Sequence, residues 1–369
     1  MADAELQRFK CPSCSAAMEF DPAAGGLKCS YCGTAVKISH PINEDVRELP
    51  LNDYLSGAAA SGRLSRVSQT ALEVACASCG STVQFQPPDV AGVCPFCASP
   101  IVAQPKSADE EIAPNGVLPF GLERRAATAS IQAWLASRWF APSALKNVGR
   151  PEGIHGVYVP FWTYDAQTSS DYSGLRGDYY YETQYVTVQN QRGESVQEAR
   201  QIRHTRWSPV SGHVSNAFDD VLVPASRAIN EQRLRELAPW DLEAVAAYEP
   251  GYLAGFKAQR YQVELAEGFE TAKAIMSESI RHSVARDIGG DEQQIQGVST
   301  DWRDLTFKHV LLPVWIGAYR FQDKVFQVTV NARTGEVQGE RPYSAVKIAI
   351  AIIAVLLVIV LIAIISDSR

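Results

Sequence analysis

Polar and apolar positions divide the chain into three stretches with different periods. The last, Ile348 to Ile365, has no period at all, because its eighteen residues are all apolar and fourteen of them are Ile, Leu or Val. As a helix it rises about 27 Å at about 1.5 Å per residue, close to the roughly 30 Å hydrocarbon core of a bilayer. One transmembrane helix is therefore expected over 345–365, with Lys347 reaching back to the interface.

The middle stretch, 117–341, alternates between two periods. Ile131, Trp134, Leu135 and Trp139 recur at spacings of three and four, which predicts a helix over 122–140, and Leu265, Phe269, Ala272, Met276 and Ile280 do the same over 264–286. A shorter helix is expected over 228–237. The runs 153–165, 172–191, 196–207, 294–300, 310–321 and 324–330 are rich in aromatic and β-branched residues and read as antiparallel strands, with Pro160 at an edge or a bulge. VYVPFW at Val157–Trp162 matches VLLPVW at Val310–Trp315, each after a long amphipathic helix. Two copies of one helix-then-strand unit, or a chance match of six residues, both account for it.

The first stretch has short apolar runs around cysteines. Cys11-Pro-Ser-Cys14 precedes Cys29-Ser-Tyr-Cys32, and Cys76-Ala-Ser-Cys79 precedes Cys94-Pro-Phe-Cys97, with 14 residues between the pairs in both cases. At the offset of 65, Phe20 falls on Phe85, Pro22 on Pro87 and Tyr31 on Phe96. Two CxxC turns aim four thiolates at one point and close a tetrahedral site, so the sequence predicts a duplicated zinc ribbon. The expected metal content is two structural Zn2+ ions, held by Cys11, Cys14, Cys29 and Cys32 and by Cys76, Cys79, Cys94 and Cys97. A ribbon of this size folds only with its metal.

The expected fold class is thus multidomain: zinc ribbons over 1–40 and 73–104, an inter-ribbon segment over 41–72, a linker over 105–116, an α+β domain over 117–341 and the membrane helix. Within 41–72 a short helix around Val46, Leu49, Leu51, Tyr54 and Leu55 is expected to pack against a ribbon, before a Ser/Gly/Ala run at 56–62.

Charge and chemistry narrow the function. With 34 Lys and Arg against 41 Asp and Glu the net charge is −7, and Val74 to Gln104 has no Lys or Arg, so nucleic acid is an unfavoured partner. Arg200, Arg203, His204 and Arg206 form a basic stretch read as a solvated strand face. There is no P-loop, GxSxG, HExxH or Rossmann glycine pattern, and the six histidines are scattered, so no catalytic residue is assigned and no enzyme is expected. Arg333, Arg341 and Lys347 precede the span and Arg369 follows it, which predicts a cytoplasmic N-terminal bulk. The start, MADAELQRFK, has no apolar run of the secretory kind. These readings describe a membrane-tethered adaptor or scaffold that recruits protein partners. The alternative is a nucleic-acid-associated factor, in replication restart or transcription, that uses its ribbons.

The double ribbon, PSALK at Pro142–Lys146 leading to GVYVPFWTYDA at Gly156–Ala166, and the hairpin before a C-terminal span resemble a bacterial family of zinc-ribbon membrane proteins that includes the YdjG-like proteins. The resemblance implies a single-pass protein of the bacterial inner membrane, in company with SPFH-domain or phage-shock-type membrane proteins. Some relatives carry labels taken from the primosomal replication-restart helicase, but the phosphate-binding loop of that ATPase is absent here.

Overall fold

The computed structural model describes residues 11–16, 18–38, 46–56, 72–75, 81–85, 91–93, 95–96, 100–102, 112–143, 145, 152–189, 195–259, 261–322 and 324–367. The stretch expected as the first ribbon forms the antiparallel sheet β1 (Met18–Asp21), β2 (Gly26–Cys29) and β3 (Ala35–Lys37). β4 (Leu49–Pro50) and α1 (Leu51–Leu55) follow. Two hairpins, β5 (Leu72–Ala75) with β6 (Thr82–Phe85) and β7 (Ala91–Val93) with β8 (Pro100–Val102), lie in the second ribbon segment.

The body comprises β9 (Gly116–Val117), α2 (Arg124–Ser137), β10 (Glu152–Gln189), β11 (Ser195–Pro224), α3 (Glu231–Glu236), β12 (Ala246–Ala247), β13 (Lys257–Ala258), α4 (Leu265–Ile288), β14 (Glu292–Phe321), β15 (Lys324–Asn331) and β16 (Val337–Gly339). Its main sheet has the order β11-β10-β14-β15-β16. The final helix is α5 (Ala345–Asp367).

The hexapeptide match has a structural counterpart. β10 and β14 are antiparallel neighbours, and Val157 pairs with Val314 while Phe161 pairs with Val310. A shift of 153 residues relates the two copies, and Val159 faces Leu312, its own counterpart across the strand pair. This register is what a twofold axis through the Val159–Leu312 pair produces, and the surroundings obey the same axis. β13 runs parallel to β10 at Val157–Tyr158, as β9 runs parallel to β14 at Val310–Leu311. The indole Nε1 of Trp162 donates to the Val263 carbonyl before α4 at 2.9 Å, and that of Trp315 donates to the Leu122 carbonyl before α2 at the same distance. Two β-α-β-β units, each lending its first short strand to the other, make up the core.

The axis also explains both prolines. Pro160 lies in the interior strand β10, where the outer partner changes from β13 to β11, and its carbonyl accepts from Ala225 N. Pro313 lies where the partner of β14 changes from β9 to β15, and its carbonyl accepts from Ala332 N. The edge-or-bulge expectation for Pro160 is corrected: the missing N–H falls in the gap between two partner strands.

One face of the paired strands carries Tyr158, Trp162, Tyr164, Leu311 and Trp315 beneath α2 and α4, and the other carries Val157, Val159, Phe161, Leu312 and Val314 beneath α3 and Phe96. The inter-ribbon expectation is also corrected. Leu49 of β4 pairs with Phe307 of β14, and Leu51 is fully buried with Trp162 and Phe307, so this segment packs on the body and not on a ribbon. The last part of the expected linker is structural too, because the Asn115 side chain accepts from His309 N and β9 joins the sheet.

His309 makes the fold pH-sensitive. Its ring is buried beside Trp162, Nδ1 donates to the Ile112 carbonyl at 2.8 Å, and Nε2 has no hydrogen-bond partner among the described residues. Burial outweighs the nearby carbonyls and pulls its pKa down to about 4 from 6.5. The unfolded chain therefore binds the proton first, and stability present above pH 6.5 is lost as pH falls toward 4, by up to about 3 kcal/mol. Urea midpoints measured across this window should fall with pH in the wild type and lose part of that slope in His309→Gln.

Candidate functional site

The four cysteines of the first ribbon converge. Cys11 Sγ lies 3.4 Å from Cys32 Sγ, Cys14 Sγ lies 3.6 Å from Cys29 Sγ and 3.4 Å from Cys32 Sγ. A tetrahedron with Zn–S bonds of about 2.3 Å has sulfurs about 3.8 Å apart, so the set fits zinc within a few tenths of an ångström, whereas a disulfide needs about 2.05 Å. The two CxxC turns are built alike. Ser15 N donates to Cys11 O and Gly33 N donates to Cys29 O, both at 2.9 Å, and Ser15 and Gly33 both have positive φ. The four thiols share protons: burial raises the Cys11 pKa, but the backbone N–H groups of Ser13 and Cys14 and the neighbouring sulfurs lower it overall, while at Cys14 the Ala16 N–H is outweighed by the sulfurs of Cys32, Cys29 and Cys11, which push the pKa up. Cys76, Cys79, Cys94 and Cys97 lie outside the described residues, so one four-thiol set is on view.

The ribbon is not a free module. Cys11, Cys29, Met18, Phe20 and Leu27 belong to the same buried cluster as Tyr158, Tyr252 and Trp315, Phe20 N donates to the Ala254 carbonyl at 2.9 Å, and the Phe20 ring meets that of Tyr252 edge-on. Between ribbon and body lies a cavity of about 560 Å³ lined by Lys28, Arg124, His155 and Trp315, among others, and Lys28 is bonded to Asp21 within it at 2.8 Å. On the outer side of the second CxxC turn, Tyr31 is 85% exposed.

The sheet continues far beyond this core. β10 and β11 stay paired to Gln189↔Ser195, whereas β14 stops pairing with β10 at Gly177, so 178–189 and 195–206 form a two-stranded arm that, among the described residues beyond Tyr179, has no further strand on either edge. At about 3.3 Å per residue, β10 spans on the order of 100 Å. Arg203 stacks on Tyr179 at 4.2 Å and Arg206 on Tyr180 at 5.2 Å, while Tyr181, Tyr185, Val196 and Ile202 are exposed. The basic stretch is thus a solvated face, balanced by Asp178, Glu182 and Glu198.

Two polar clusters were not legible in the sequence. Glu48, Asp165 and Asp219 bring their carboxylates together where β10 bulges, but Lys308 reaches in, 2.7 Å from Asp220 and 3.5 Å from Glu48, and neutralises part of that charge. Desolvation raises the Asp165 pKa despite the hydrogen bonds from Asp220 N and Thr306. On the open face of the sheet, Asp171 Oδ1 lies 2.9 Å from His213 Nδ1, and His213 Nε2 lies 3.2 Å from Ser169 Oγ. The order Ser-His-Asp is that of a hydrolase triad. Here it lies on a solvent-open strand face between paired neighbours, Ser169 with Ser215 and Asp301, so the ladder occupies the backbone N–H groups an oxyanion hole would need.

α5 has none of its membrane-length window buried against the body, unlike a soluble core helix of similar composition. Its first turn is bonded directly to the body. Ser344 N donates to the Phe140 carbonyl at 2.8 Å, and Lys347 Nζ donates to the Ala141 carbonyl at 2.7 Å. The Tyr319 hydroxyl donates to the Glu340 carbonyl just before this root at 2.7 Å, beside the Glu152↔Ala318 pair that begins β10, so the root lies near the start of the strand whose other end carries the arm.

Among known proteins, the chain is similar to one described as "Uncharacterized protein YdjG" from Bacillus subtilis (strain 168), 24% identical over 344 residues that cover 92% of each chain. No family model matches. No solved structure matches.

Proposed function

We propose that this protein is a single-pass, membrane-tethered scaffold without catalytic activity, whose body lies at the cytoplasmic face of the bacterial inner membrane and recruits protein partners. The observation that supports this reading is that α5 is rooted near the start of β10 while the arm, with Tyr181, Tyr185 and Ile202 exposed, lies at the other end of the same strand. Anchoring restricts the chain to a layer at the membrane and raises its effective concentration toward membrane-bound partners. The ribbons stiffen the scaffold, each with one Zn2+, the second held by Cys76, Cys79, Cys94 and Cys97. Tyr31 and the arm provide the contact surfaces, because exposed tyrosines supply large contact area at low entropic cost. SPFH-domain or phage-shock-type membrane proteins are the first partners to look for.

The Tyr–Arg stacking on the arm favours a second reading, contact with single-stranded nucleic acid. Equal numbers of carboxylates and guanidiniums among the described arm residues weigh against it. Crosslinking in membranes separates the two. Tyr181→Ala with Tyr185→Ala should lose the crosslinked protein while membrane association and zinc content stay unchanged. An unchanged partner set would move recruitment off the arm, and crosslinked nucleic acid alone would favour the second reading.

A further inference from the structure

The junction between body and α5 holds three exposed aromatic rings and three cations. Trp139 is 60% exposed, Phe140 42% and Tyr343 61%, and the Trp139 and Phe140 rings meet edge-on at 4.9 Å. Arg138 and Arg341 both stack on Trp134, Arg341 also stacks on Tyr343, and among the described residues neither arginine nor Lys347 is paired with a carboxylate. Aromatic rings left in water beside a charged patch are unfavourable on a soluble surface, whereas Trp, Tyr and Arg are the side chains that settle at the headgroup layer. The chain leaves no slack there. Only residues 340–344 separate β16 from α5, and the hydrogen bonds of Ser344 and Lys347 clamp the helix to the loop that carries Trp139 and Phe140. Where α5 enters a bilayer, these rings arrive at its surface.

We infer that Trp139, Phe140 and Tyr343, flanked by Arg138, Arg341 and Lys347, form an interfacial collar that seats the body in the phospholipid headgroup layer. This rests on α5 spanning the membrane. The collar fixes the tilt of the body, and so the direction in which the arm points, which a flexible tether would leave free. The three cations give it a preference for anionic phospholipid.

All seven tryptophans lie outside α5, which makes the collar directly readable. The full-length protein is reconstituted in phosphatidylcholine vesicles containing phosphatidylglycerol, with bromine on the acyl chains either near the headgroup or near the bilayer centre. The shallow bromines should quench tryptophan fluorescence more than the deep ones, and Trp139→Phe, a change at an exposed ring, should remove more than half of that quenching. Quenching that is absent, or unchanged in Trp139→Phe, while the protein resists alkaline extraction overturns the collar and leaves the anchor standing. Protein released by alkaline extraction overturns the anchor and the collar with it.

Discussion

Replacing Trp162 by Ala is expected to cost about 3 to 5 kcal/mol of stability, and Trp315→Ala a similar amount, because each removes a large buried ring together with the clamp on a helix start. The near-equality is the informative part. If the two units are copies about the Val159–Leu312 axis, the indole-to-carbonyl bonds to Val263 and Leu122 do the same work, and Trp→Phe, which keeps an aromatic ring but loses the N–H donor, should weaken both by comparable, smaller amounts. Denaturant midpoints of the four variants test this. A large loss at one tryptophan and almost none at the other would show that the repeat is not shared in energetics.

The second large effect is expected at the four-thiol set. Cys29→Ser breaks a set whose zinc affinity, by analogy with finger peptides, would correspond to about 10 to 16 kcal/mol, comparable to the whole stability of a typical domain. Zinc content should drop by one equivalent, and protease should cut around Lys28 and Lys37. The damage should also spread, since Phe20 and Leu27 pack in one cluster with Tyr252 and Trp315, and the body should unfold at lower denaturant. Unaltered zinc content would sink the four-thiol site. A body untouched by ribbon loss would show that the docking contributes little.

The elements legible in the sequence were those with an undisturbed period. α2 falls within its expected helix and α4 matches its own to within two residues, running on to Ile288, since Ile131 with Leu135 and Phe269 with Ala272 and Met276 keep the helical spacing of buried positions. The long strands were read in fragments for a physical reason. Expected strands ended at 165 and at 207, yet β10 and β11 run on, because their helix-facing positions there are small or polar: Ser170 bonds to Thr300, Asn216 to Ser283, and Gly212 makes room for the Tyr172 ring. Alternation of apolar residues fails where a helix lies that close to the sheet. The first-ribbon cysteines were legible from spacing alone, but the docking of the ribbon was not, since Phe20 reads equally well as part of the ribbon's own small core. The Ser169–His213–Asp171 line depends on cross-strand register, which no local pattern contains.

The location of reporters at the two ends tests most directly the proposed placement of one helix in the membrane with the body on the cytoplasmic side. A reporter fused after Arg369 should be found outside the cytoplasm, and the same reporter fused before Met1 should be found inside. Both reporters on one side would mean that α5 does not span, and the reverse arrangement would place the body, its thiols and its arm on the wrong face of the membrane.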